Sequence, residues 1–440
     1  MRNITFKLLF ALSILLIGIS SLTTSSGLAQ AASEASDTQI STINVPPRIL
    51  PSPEIISLKD HSFIFATFGD SRTGEVTEDA LNRAKYTSYT FKAEDVVEEG
   101  EKEFATYRTR LFDEISNGFK SNLRRQNSWS FDFALFSGDL VRESTDEYWN
   151  EARHCFVDKI EREDATSGSF FPVIGNHELW AGPEVEKKMG IKNATNSALN
   201  KYFETFPRLV GDTGYETTGL HYYAFFVDKS VFVTLCTGNM VFDGCIPNDG
   251  DGMFLCEQAT MSEQMDWFRQ VLDYGIQQKD IRNVFVQYHK PSFSCAKHPP
   301  LQQCCDPLNV MSDYKSEFNY LNMFVFNGHN HTTEIYRTDD GITVLVAGGG
   351  AAPQKEKDNN RDWSIYKDTP KELFWDSLKP HINKWQKRIN YFLVYVSDDD
   401  ITIRERVLTN GSGFYRFEEG IVISKDGEIT APDRVTGVLE

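Results

Sequence analysis

FFPVIGNHE, residues 170–178, is five apolar residues followed without a break by Gly175, Asn176, His177 and Glu178. A short Phe- and Val-rich run closed by glycine reads as a buried β-strand. The glycine lets the chain turn sharply where the strand ends, so the polar residues are presented in the loop beyond it. The same pattern recurs four times. FATF (65–68) leads to Gly69-Asp70, and FALFS (133–137) to Gly138-Asp139. VFVQY (284–288) leads to His289, and FVFN (324–327) to Gly328-His329-Asn330-His331. Five strand ends thus present Asp, Asn or His.

Around these runs the chain keeps alternating. YYAFFV (222–227), VFVTLC (231–236) and ITVLVA (342–347) are further strand candidates. EEGEKEFATYRTRLFDEISNGFKSNL (98–123) and SEQMDWFRQVLDYGIQQ (262–278) space their apolar residues as helices do. Strands alternating with helices predict an α/β sheet with crossover connections. NYFLVYVSDDDITIRERVL (390–408) predicts a hairpin on the sheet edge. In such folds, ligands bind beyond the carboxyl ends of the strands. Oxygen and imidazole donors without thiolate suit zinc, manganese, iron or magnesium.

The N-terminus has a different composition. Arg2 and Lys7 precede an apolar run from Leu8 to Ile19, and Ala29-Gln30-Ala31 offers a cleavage site. That is the composition of a secretory signal, residues 1–31, and its apolar core is shorter than the ~20 residues that span a bilayer. Export to a periplasm or out of the cell is expected, with no membrane association after cleavage. Losing Arg2 and Lys7 takes the formal charge from −18 to −20. An acidic chain argues against nucleic-acid binding, whereas a small phosphorylated substrate needs only a local cation. Of the seven cysteines, those in 236–256 and 295–305 are expected to form disulfides within each cluster. Residues 32–57 have linker composition. The expected organisation is a domain over 58–408, with insertions at about 75–105 and 355–388, then a tail over 409–440.

In order and content these motifs resemble the calcineurin-like metallophosphoesterases, the family that includes purple acid phosphatases, over roughly residues 60–408. YFETFPRL (202–209), MDWF (265–268) and VLVAGGGAAP (344–353) add to the likeness. The resemblance implies a four-layer α-β-β-α sandwich of two mixed sheets around two metal ions, of zinc, manganese or iron. By position, Asp139 bridges both ions. Asp70 and His331 complete the first site, and Asn176, His289 and His329 the second. His177 is the implied general acid, with Glu178 orienting its ring. Two such ions lower the pKa of a bridging water and neutralise phosphoryl oxygens, so the implied reaction is phosphate-ester hydrolysis.

FATFGDSRTG (65–74) raises two further questions. Gly-Asp-Ser also occurs in serine esterases, but no histidine here has Asp three residues before it, so Ser71 reads as a turn residue. Arg72 stands where the family has a histidine ligand, and Arg142 where purple acid phosphatases have tyrosine. A guanidinium has no lone pair to give a metal. Arg72 therefore clamps a substrate phosphate, replaces the first ion and leaves a single metal, or points away toward an acid such as Glu75. A catalytically lost relative acting as a binding protein is the alternative to an enzyme.

Overall fold

The structure, a computed structural model, describes residues 46–53, 55, 62–73, 99–122, 130–160, 169–179, 191–209, 221–237, 261–292, 307–350, 389–398, 400–411 and 414–430. The expected signal peptide, the 355–388 insertion and Cys245, Cys256, Cys295, Cys304 and Cys305 lie outside them.

Phe-rich runs form the strands because both faces of each are covered. In chain order the strands are β1 (Phe63–Phe68), β2 (Phe133–Phe136), β3 (Phe170–Pro172), β4 (Tyr223–Val227), β5 (Ser230–Thr234) and β6 (Asn283–Gln287). They continue with β7 (Asn322–Asn327), β8 (Thr333–Arg337), β9 (Thr343–Ala347), β10 (Asn390–Val396), β11 (Ile401–Gly411), β12 (Phe414–Ser424) and β13 (Ile429–Thr430). The longer helices are α1 (Glu99–Asn122), α2 (Asp146–Ala152), α3 (Ile191–Thr205), α4 (Met261–Lys279) and α5 (Pro307–Glu317). A π-helical turn, Arg153–Val157, follows α2.

One sheet has the order β13-β12-β11-β10-β1-β2-β3, and the other β4-β5-β6-β7-β9-β8. Both are mixed: β1, β2 and β3 run parallel, as do β5, β6, β7 and β9, while the remaining neighbours are antiparallel. The sheets meet through rings. Phe65 packs edge-on to Phe232 and Phe285, each 5.2 Å away, and Phe171 stacks on Phe225 at 4.0 Å. Alternate residues point the other way, as strand pleating requires. Phe68 meets Phe156 of the π turn, which stacks on Phe112 of α1, so helices cover the outer face of the first sheet. On the second sheet Phe226 meets Tyr274 of α4. The architecture is therefore the expected four-layer α-β-β-α sandwich. Full burial of each core phenylalanine contributes about 1.5–3 kcal/mol.

Three boundaries differ from the sequence reading. Residues 46–53, read as linker, run beside β4 through an Ile49–Ala224 bridge, with Trp267 donating to the Pro47 carbonyl. The expected tail instead extends the first sheet, since β12 pairs along β11 and β13 along β12. The hairpin β10–β11 consequently lies inside that sheet, beside β1, instead of on its edge. The insertion placed at 75–105 overlaps α1, which starts at Glu99.

Candidate metal centre

Strand register brings the motifs together. Phe68 pairs with Phe136, so the Asp70 and Asp139 loops leave β1 and β2 side by side. Pairing continues into them: the Asp70 amide donates to the Gly138 carbonyl at 2.9 Å, and the Arg72 amide to the Asp139 carbonyl at 3.0 Å. In the second sheet the Gly328 amide donates to the His289 carbonyl at 2.9 Å. Asp70, Arg72, Asp139, His329 and His331 all have positive φ, between 44° and 71°. Such backbone costs about 1–3 kcal/mol per residue and persists where its surroundings enforce it. Two glycines permit the crowding. A Cβ on Gly175 would lie 2.3 Å from Asp139 Oδ1, and one on Gly328 2.5 Å from Asp70 Oδ2.

Three donor atoms converge beside Asp139. Asn176 Oδ1 lies 3.0 Å from both His289 Nε2 and His329 Nδ1, and the two nitrogens are 3.3 Å apart. Asp139 Oδ1 is 3.3 Å from His289 Nε2. A tetrahedral ion with bonds of about 2.1 Å spaces its ligand atoms by about 3.4 Å. His289 Nδ1 donates to the Ser137 carbonyl at 2.8 Å, which leaves Nε2 with its lone pair when the ring is neutral. Burial lowers the His289 pKa, against the pull of Asp139, and so favours that neutral form. A lone pair aimed at two oxygens is repulsive, and a cation among them, or a proton on Nε2, removes that repulsion. These residues fit a metal ion.

On the other side lie Asp70 and His331, both fully buried, with His331 Nε2 3.6 Å from Asp70 Oδ1. Asp70 Oδ1 accepts the His329 amide at 2.9 Å, while buried Oδ2 has no hydrogen-bond partner among the described residues. Asp70, Asp139 and His289 each place a ligand atom within 4.8 Å of the others. Burial and the Asp139 charge push the Asp70 carboxyl well above its usual pKa. Burial would also raise Asp139, but His289, His177, Arg72 and His329 together hold it far below the carboxylate range.

Arg72 points inward. Its side chain is 13 % exposed, and Nη2 makes a long hydrogen bond of 3.4 Å to Asp139 Oδ2. That geometry excludes the reading in which it turns away from the site; Glu75 lies outside the described residues. Two residues that the motifs gave no sign of hold it there. Arg108 of α1 donates to the Arg72 carbonyl at 2.6 Å and to Glu151 of α2 at 3.0 Å, within a buried ion pair. An arginine and a glutamate on helices carry no motif signal, so only the packing reveals them.

Glu178 departs from its expected role. Its carboxylate accepts the amides of Gly175 at 2.7 Å, Asp139 at 2.9 Å, Leu140 at 2.6 Å and Val141 at 3.4 Å. It clamps the Asp139 loop to the Asn176 loop and leaves the imidazole of His177 to the Arg142 carbonyl, which meets Nδ1. Burial, with Asp139 adding, pushes Glu178 up to about 8, while those amides pull it down. Cations bound at the centre would lower it further. His177 Nε2 is 3.8 Å from Asp139 Oδ2, at the rim, and burial pulls the His177 pKa down to about 4. Ser71 is fully buried, and its Oγ has no hydrogen-bond partner among the described residues, as suits a turn residue and not a nucleophile.

No family model and no curated protein matches the sequence. Similar solved structures include the purple acid phosphatase PPD1 of yellow lupin (Lupinus luteus), at 12% identity and TM-score 0.47 over 83% of this chain. This chain spans only 54% of the lupin protein. A dimetal phosphatase from Danio rerio is 16% identical, with TM-score 0.40 over 79% of this chain and 96% of its own. The structure of PhoD is 12% identical, with TM-score 0.47 over 88% of this chain and 74% of its own. These neighbours are of the kind that the motifs resemble. At such scores they add no weight to the assignment of the site, which rests on its own geometry.

Proposed function

We propose that this chain is an exported, metal-dependent hydrolase of phosphate esters. The observation that carries the reading is the convergence of Asn176 Oδ1, His289 Nε2 and His329 Nδ1 at 3.0–3.3 Å, with Asp139 Oδ1 3.3 Å from His289 Nε2. A divalent ion bound there supplies Lewis acidity and an activated water. The chain's own groups supply the rest. Arg72 faces an incoming phosphoryl group with positive charge. His177, with Nδ1 on the Arg142 carbonyl, directs Nε2 toward the site and can deliver a proton to the leaving oxygen. A bound anionic ester favours the charged imidazole, against the effect of burial. Export, to a periplasm or outside the cell, is supported by the composition of residues 1–31.

Protein stripped of metal should be inert toward phosphate monoesters, diesters and pyrophosphate, and recover with manganese or zinc. His177→Ala should bind metal like the wild type and turn over ~10²–10⁴-fold more slowly. Metal-loaded wild type that hydrolyses none of these substrates would favour the binding-protein alternative.

A further inference from the structure

The geometry points to Arg72 as the second cation of the centre: this chain holds one metal ion, and the guanidinium takes the place of the other. The inference rests on the proposed metal-dependent reading and specifies its site. A carboxylate bridging two ions offers one oxygen to each. Asp139 Oδ1 faces the Asn176–His289–His329 cluster, whereas Oδ2 faces Arg72 Nη2 at 3.4 Å. The oxygen that a first-site ion would need already carries a permanent positive charge. What remains for that ion is Asp70 and His331, beside a guanidinium that would repel it.

Arg72 is built in on three sides. Its amide is bonded to the Asp139 carbonyl, its own carbonyl to Arg108, and its side chain to Asp139. Its φ of 44° is a conformation that a long side chain rarely adopts unless held. The charge balance closes with one metal. A single divalent ion and Arg72 balance the three buried carboxylates Asp70, Asp139 and Glu178. The Arg72 side chain is 13 % exposed, so part of the guanidinium can meet a phosphoryl oxygen. Guanidinium groups bind such oxygens in a planar, two-pronged way.

The test is metal stoichiometry, read without any assay of turnover. Full-length protein equilibrated with excess Mn(II), then freed of unbound ion by gel filtration, is analysed for metal per chain and by EPR. Wild type should carry one ion with an uncoupled six-line signal. Arg72→His should carry two, with a spin-coupled signal. Arg72→Gly, which tolerates the positive φ, guards against misfolding of the histidine variant and should bind a second ion at least tenfold more tightly than wild type. Two ions in wild type would overturn the inference and leave the proposed function standing. One ion in wild type and in both variants would also overturn it, since Arg72 would not be what excludes the second. No ion in wild type would remove the metal-dependent reading itself.

Discussion

The two sides of Asp139 use similar residues to opposite ends. On the Oδ1 side, Asn176, His289 and His329 bring donor atoms to within 3.0–3.3 Å with no positive charge among them. At Oδ2 a guanidinium already meets the carboxylate, and the Asp70 and His331 ligand atoms stay 3.6 Å apart at their nearest. One side is short of a cation and the other already has one. Residue types alone would have made both sides metal sites. The difference comes from which oxygen meets which partner.

Paired substitutions should separate the two sides most sharply. His289→Ala removes a donor from the Oδ1 cluster and should cost at least ~10²-fold in metal affinity, more than the 10–100-fold typical of residues that only support a ligand. His331→Ala should leave the metal count per chain unchanged. Isothermal titration with zinc reads both, and loss of the ion in the His331 variant would erase the contrast.

Support of the Arg72 side can be broken from beneath. Arg108→Ala strips Glu151 of its buried counter-charge and should cost about 3–5 kcal/mol in denaturant unfolding. Replacing the pair together, Arg108→Met with Glu151→Leu, should recover most of that loss, because apolar substitutes of similar volume often match a buried ion pair. The recovered protein still lacks the bond to the Arg72 carbonyl. It should therefore take up a second ion more readily than wild type, which a purely structural role for Arg108 would not produce.

A control far from Asp139 sets the acid limb. His221 is buried, stacks on Phe203 with centroids 5.5 Å apart, and has its pKa pulled down to about 4 by burial and by Arg48. An ordinary histidine titrates near 6.5. Its stability contribution is therefore complete above pH ~6.5 and is lost as pH falls toward 4, amounting to about 3 kcal/mol. His221→Phe should flatten the fall in stability between those pH values. An unchanged slope would assign acid sensitivity to the metal-site carboxylates and histidines instead.

The smallest effect belongs to the shared clamp. Glu178→Gln replaces one acceptor oxygen by a donor amide facing backbone N–H groups, and should cost about 1–3 kcal/mol. Both sides of Asp139 hang from that clamp, so metal affinity should weaken with it. Full stability together with normal metal binding would contradict its role.

The sequence made the strands and the donor residues legible because both are local signals. FIFATF, FALF and NVFVQ are strands wherever a second sheet and a helix layer can cover them, and a glycine at a strand end exposes the next residues of the chain. β8 and β12 escaped notice for the same reason. TEIYR is a short edge strand with little apolar signal, and FYRFEEGIVIS loses its alternation at Glu418-Glu419-Gly420, near the register shift between Arg404 and Arg406.

Other features had no local trace. GNHE placed Glu178 beside His177, yet its oxygens went to four amides of two loops, because a buried carboxylate takes the donors that the fold brings within reach. FGDSR placed an arginine near a metal ligand without showing whether it turned in or out. The bond from the His329 amide to Asp70 spans 259 residues, and that from Arg108 to Arg72 spans 36. Sequence by itself determined which chemical groups stand at the strand ends, since side-chain type and periodicity belong to single segments. Only the tertiary structure decided how Asp139 divides its two oxygens, because that depends on the relative register of strands from two different sheets.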